Sequence, residues 1–117
     1  MYYNNKDIYE GGYKNGLREG HGVYYYKDGG RFEGEYVKGI IEGKGIVVFA
    51  DGSRYEGDFK NNIREGNGIL LFNNGSRYEG EFRNNLREGK GKLLYINGDV
   101  LEGQYERDNK WKRNLYI

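Results

Sequence analysis

The sequence predicts an all-β chain, an antiparallel meander of short hairpins stacked into an elongated, twisted ribbon. Three observations carry this. The first is a fixed period. "RYEGEFRNNLREGKG" from Arg77 restates "RYEGDFKNNIREGNG" from Arg54, "RFEGEYVKGIIEGKG" from Arg31 and "IYEGGYKNGLREGHG" from Ile8, each 23 residues apart, and "VLEGQY" from Val100 begins a fifth copy. Self-similarity at such a period marks a repeat architecture, whose units are too short to bury a core alone and must stack. The second is that each copy holds two runs of alternating β-forming residues. The third is that both connections between the runs are short and built from Asn, Asp and Gly.

One copy shows the elements. In Ser53–Phe59, "SRYEGDF", Tyr55, Gly57 and Phe59 point to one face and Arg54, Glu56 and Asp58 to the other, a strand by its period of two. "KNNIRE" follows as a turn. Asn62 stands where Gly16, Gly39 and Asn85 stand in other copies, and Asn and Gly share a tolerance of positive φ. Residues 66–72, "GNGILLF", form the second strand. "NNGS" closes the copy, with "KDGG", "ADGS" and "INGD" as equivalents, and Asn-Gly between alternating runs signals a hairpin. Leu17, Ile40, Ile63 and Leu86 are expected in the turn, stacked along one edge. At about 4.8 Å per strand the ribbon spans roughly 40–50 Å.

The glycine pairs Gly20/Gly22, Gly43/Gly45, Gly66/Gly68 and Gly89/Gly91 need a reason, because glycine inside a strand costs about 0.5–1 kcal/mol relative to alanine. The expectation is a neighbouring ring, Tyr55 or Phe59 in this copy, lying flat over both members of the pair.

Composition bounds the function. The chain has 117 residues, with 21 Gly, no Pro, 13 Tyr and 5 Phe. Disordered glycine-rich chains lack such aromatics, and here the glycines are periodic. Nineteen basic against 18 acidic residues offer no basic excess for nucleic acid. Without cysteine there is no disulfide, thiolate ligand or thiol nucleophile. "MYYNNKD" does not begin a signal peptide, and no apolar run approaches a membrane span. A cytoplasmic location is expected.

The pattern formed by Tyr55, Glu56, Gly57, Phe59, Asn62, Gly66 and Gly68 resembles the MORN repeat (membrane occupation and recognition nexus), through four consecutive copies from about Ile8 to Tyr105. The resemblance implies a single-layer elongated antiparallel sheet and a scaffold that holds partner proteins, often a helical segment in a groove. It also implies links to anionic phospholipids or the cytoskeleton. Repeats are placed from about residues 9, 32, 55 and 78, with a partial one near 101, so that 1–107 is the array. Leu101 replaces the leading aromatic of the fifth copy and its glycine pair is missing, so 108–117 is expected to be a C-terminal cap. Met1–Tyr3 align with Tyr24–Tyr26. A monomer, or a weak dimer through the less protected N-terminal end of the sheet, is expected.

No catalytic residue, metal site or cofactor is assigned. His21 shares its position with Lys44, Asn67 and Lys90, an interchangeable polar site without the orienting partner a catalytic histidine needs. "GIIEGKG" at 39–45 lacks the ending of a phosphate loop, and the repeat already explains its glycines. The rows Glu10, Glu33, Glu56, Glu79, Glu102 and Glu19, Glu42, Glu65, Glu88 space their carboxylates about 10 Å apart, too far to share one ion, and read as solvated charge ladders.

The aromatic face is the expected binding site, with the opposite face, where Ile46, Val48, Ile69 and Leu71 stand between charges, as the fallback. Tyr13, Tyr36, Phe59, Phe82, Tyr26, Phe49, Phe72 and Tyr95 are expected to line a groove for a partner peptide or helix, because no second layer covers them. The alternative is a peripheral membrane module for anionic phospholipid headgroups, with Lys110, Trp111, Lys112 and Arg113 as the lipid contacts.

Overall fold

Strand follows strand in the order of the chain. The computed structural model describes residues 6–107 and 109–110. Ten strands, β1 (Ile8–Lys14), β2 (Leu17–Tyr25), β3 (Arg31–Val37), β4 (Ile40–Val48), β5 (Arg54–Lys60), β6 (Ile63–Leu71), β7 (Arg77–Arg83), β8 (Leu86–Leu94), β9 (Val100–Glu106) and β10 (Asn109–Lys110), form one open antiparallel sheet in which each pairs with the next. There is no helix among the described residues. The molecule measures 53 × 24 × 20 Å. A flat layer is only about 10 Å thick, so the sheet is strongly coiled.

The turns inside each repeat hold two residues, both at positive φ. Asn61 and Asn62 sit at 52° and 72°, Asn84 and Asn85 at 53° and 70°, and Lys38 and Gly39 at 50° and 85°. This is the type I′ geometry that matches strand twist. The "NNGS" connection is a hairpin as well, joining β6 to the antiparallel β7, but with a longer loop. The "NNGS" loops have three residues: Gly75 N–H donates to Phe72 O and Phe72 N–H to Ser76 O, and the Asn74 side chain accepts from Ser76 N–H. Only the glycine of that loop takes positive φ, at 95°, as in a type I turn closed by a bulge.

The second strand of each repeat starts earlier than expected, at Leu17, Ile40, Ile63 and Leu86. These residues open the strand and do not belong to the turn. Between Gly57/Phe59 and the partners Gly68/Arg64, β6 carries two more residues than β5. Gly66 takes up that bulge at φ 108°, and Gly20, Gly43 and Gly89 do the same at 76°, 85° and 79°. The first glycine of each pair thus serves backbone conformation. Only the second lies beneath a ring.

Nine glycines, Gly11, Gly22, Gly34, Gly45, Gly57, Gly68, Gly80, Gly91 and Gly103, are cross-strand partners in one unbroken row over β1–β9. Rings cover this row on one face. A Cβ at Gly68 would stand 2.3 Å from Tyr55 Cε1, and one at Gly91 the same distance from Tyr78 Cε1. The core is these rings: Tyr9, Phe32, Tyr55 and Tyr78 over the glycines, with Tyr36, Phe59, Phe82 and Tyr105 between them, all buried. Asn109 and Lys110 pair with Glu106 and Tyr105 and so continue the meander. The rest of the expected cap, from Trp111 on, lies outside the described residues.

Candidate functional site

The two faces of this sheet do different things. On the ring face, Tyr13, Tyr9, Tyr36, Phe32, Phe59, Tyr55, Phe82, Tyr78 and Tyr105 form one continuous column. Each ring meets the next edge-to-face, with centroids 4.9–5.6 Å apart. Such pairs are worth about 0.5–1.5 kcal/mol beyond the area they bury. The tyrosine hydroxyls reach the residue opposite the bulge on their own strands, β1, β5 and β7: Tyr9 donates to Gly12 O, Tyr55 to Asp58 O and Tyr78 to Glu81 O, at 2.8–3.0 Å. Burial pushes the phenols of Tyr36 and Tyr55 well above the usual tyrosine range, and that of Tyr78 up to about 12.

Arginine lies over the outer side of this column. The Arg18 guanidinium stands 5.2–5.7 Å from the ring centres of Tyr9, Tyr24 and Tyr36. Arg64 covers Phe49, Tyr55 and Phe82, and Arg87 covers Phe72, Tyr78 and Tyr105, at 5.2–5.9 Å. The equivalent residue of the second repeat is Ile41, opposite Tyr36 as Arg64 is opposite Phe59. These arginines were not anticipated. The "REG" triplet shows them in sequence, but arginine at a strand end reads as surface charge.

The eight rings expected to line a groove are thereby placed individually. Tyr36, Phe59 and Phe82 are buried in the column. Phe49 and Phe72 are half-buried against it, beneath Arg64 and Arg87. Tyr13, Tyr26 and Tyr95 are exposed, at 41–42%. The buried rings of this face are packed against one another, and a groove lies on the opposite face. Of the four basic-tail residues, Trp111, Lys112 and Arg113 lie outside the described residues, and Lys110 is described only as part of β10.

A groove of about 730 Å³ runs across the strands on the opposite face. Gly34, Gly45, Gly57, Gly68 and Gly80 form its floor. One wall is the rung series Glu33, Ile46, Glu56, Ile69, Glu79, consecutive cross-strand partners from β3 to β7. The other holds His21, Glu35, Lys44 and Asn67. Four glutamates thus face one lysine and one histidine. His21 bridges Glu33 and Glu35 at 3.0 and 3.3 Å, and these bonds, Glu33 first, raise its pKa. Lys44 pairs with Asp58, whose carboxyl is held below the usual range by that ammonium and by Asn67 N–H. Arg54 and Arg77 reach Glu56 and Glu79 along their own strands.

Three members of the second glutamate row do more than form a solvated ladder. Glu19, Glu65 and Glu88 accept from the turn N–H groups of Lys38, Asn84 and Arg107 in the following repeat. They join repeats. No cluster of three or more His, Cys, Asp or Glu side chains suited to a metal is found among the described residues. No described helix is long and apolar enough to cross a membrane, which says nothing of a β-barrel.

The family model described as the MORN repeat matches residues 9–31, 32–54, 55–77 and 78–100. No curated protein matches the chain. The matched boundaries coincide with the 23-residue period, so each unit comprises one two-stranded hairpin and its loop. Repeats of this kind are consistent with a scaffold or a membrane-associated module, and they are generally non-enzymatic.

Proposed function

Because this chain belongs to the MORN-repeat family, we propose that it is a non-enzymatic interaction scaffold that takes a partner peptide or helix. The binding surface is the glycine-floored groove on the face opposite the rings. The observation that carries this is the division between faces. The rings are occupied with one another, whereas the groove is open, continuous over five strands and walled by half-exposed aliphatic and charged side chains. A mixed surface of this kind suits specific association: the isoleucines supply area and the charges supply register.

An enzyme reading has no support in the site. His21 is the sole histidine and is part of a surface ion-pair cluster, with no serine, threonine, cysteine or tyrosine among the residues that line the groove beside it. Membrane attachment through headgroups is the second reading, favoured by the tail "KWKR" at 110–113. The groove offers it no basic excess, because its arginine and histidine neighbours are paired with its four glutamates and Lys44 with Asp58.

The test is affinity capture from native extract with the intact chain and two variants, alongside sedimentation with phosphatidylserine vesicles. Ile46→Asp/Ile69→Asp should lose the captured partner, whereas Tyr13→Ser/Tyr95→Ser on the ring face should retain it. A groove variant that captures the same partners, while the ring-face variant loses them, would overturn this reading. Vesicle binding that fades as salt rises would move the assignment to the lipid reading.

A further inference from the structure

The wall of the groove has a spacing as well as a charge. Glu33, Ile46, Glu56, Ile69 and Glu79 occupy consecutive rungs. Neighbouring rungs are about 4.8 Å apart, so a carboxylate recurs about every 10 Å with an aliphatic side chain midway. A partner lying along the groove must present cationic and apolar groups on that alternation. An α-helix does so: one turn rises about 5.4 Å and seven residues about 10.5 Å, so alternate turns meet alternate rungs. An extended chain does not, because its same-face side chains recur at about 6.6–7 Å and fall out of phase by the second rung.

From this spacing and charge we infer that the groove's occupant is an amphipathic helix with a lysine or arginine every seventh residue and an apolar residue three or four positions after each. This rests on the groove being the partner site and adds the chemistry of that partner. Three carboxylates and the two isoleucines between them span about four rungs, some 19 Å, or about thirteen helical residues. On this face the row presents only main chain, because the side-chain direction at Gly68 and Gly91 points to the rings, so the helix rests on the flanking side chains. The carboxylates are available to an incoming cation. Arg54–Glu56 and Arg77–Glu79 are about half-exposed pairs at 3.1 and 2.7 Å, and exposed pairs of this kind contribute little and exchange easily. Glu33 is engaged by His21, itself 60% exposed.

The experiment uses the full chain and a synthetic stapled helix of about 20 residues with lysine at heptad spacing and leucine on the following turn. Binding is measured by calorimetry against three controls. They are the same helix with glutamate for lysine, a helix of equal charge with lysine every fifth residue, and the unaltered heptad helix against Glu33→Gln/Glu56→Gln/Glu79→Gln. The expected result is binding by the heptad helix, weakened about tenfold or more in each control and steeply by salt. Equal binding by the glutamate or five-residue helices would overturn the charge and spacing while leaving the groove as the partner site. Failure of the heptad helix to bind at all would overturn this inference alone, because capture of native partners by the Ile46→Asp/Ile69→Asp chain judges the groove separately.

Discussion

Single atoms decide the glycine row. A Cβ at Gly68 would meet Tyr55 Cε1 at 2.3 Å and its hydroxyl at 2.5 Å, with the ring held against Phe59 and Phe82. Gly68→Val should therefore cost more than about 2 kcal/mol in denaturant unfolding. Gly52 is the informative contrast. Nothing lies within 4 Å of its Cβ direction, but its φ is +92°, so Gly52→Ala should cost about 1–2 kcal/mol through backbone alone. Equal stability of Gly68→Val and the parent would remove the ring-over-glycine account. The buried phenols give an alkaline signature. Their raised pKa values favour the neutral form in the folded state, so the stability they contribute is full below pH 10 and is lost as pH rises toward about 12, the value for Tyr78. Absorbance titration should show the exposed tyrosines ionising first, and the buried class only with unfolding. His21 works in the same sense at lower pH: its raised pKa gives a small stabilisation present below 6.5 and lost above the folded value, screened by its exposure. NMR titration of Glu33→Gln should move the imidazole back toward 6.5.

At the scale of the element, the natural differences between repeats are ready-made experiments. Asn62 and Asn85 hold the previous repeat by accepting from Ile41 N–H and Arg64 N–H, at 2.8 and 2.7 Å. Gly39 occupies the same turn position in the second repeat; its N–H donates to Arg18 O and its carbonyl accepts from the Arg18 guanidinium, but it has no side-chain oxygen to offer the preceding repeat. Its φ is 85°, which asparagine tolerates, and the nearest atom to an added Cβ, Leu17 Cδ2, is 3.6 Å away. Gly39→Asn should stabilise the chain by roughly 1 kcal/mol, seen as a higher midpoint with unchanged m-value. Ile41→Arg should likewise gain about 0.5–1 kcal/mol by placing a guanidinium over rings, as Arg64 does. A loss in both would show that the second repeat is built differently from its neighbours. The turns also show where sequence reasoning stops. Asn62 was legible as a positive-φ position. The bulge at Gly66 was not, because a glycine two residues from Gly68 looks like the same solution to the same problem.

For the molecule as a whole, the 23-residue period made the strand order, the antiparallel pairing and the ring cover of Gly68 legible in advance. It left the open face undetermined. Alternation assigns Tyr55 and Ile69 to opposite faces, but an isolated strand does not reveal which face of a single layer coils onto itself. That follows from packing between repeats: Phe82 of one unit meets Tyr55 of the preceding one at 4.9 Å, and the arginine of each "REG" closes over the join. Rings on a sheet with no second layer look like a binding surface until they are seen to bury one another. One division therefore governs the molecule, with rings inward and the glycine-floored groove outward. Its most direct test is NMR relaxation of the intact chain in the presence of a soluble paramagnetic agent, read at both faces together. The methyl groups of Ile46 and Ile69 should relax strongly, and the ring protons of Phe32, Tyr55 and Tyr78 hardly at all. Strong relaxation of those rings with protected Ile46 and Ile69 would contradict it.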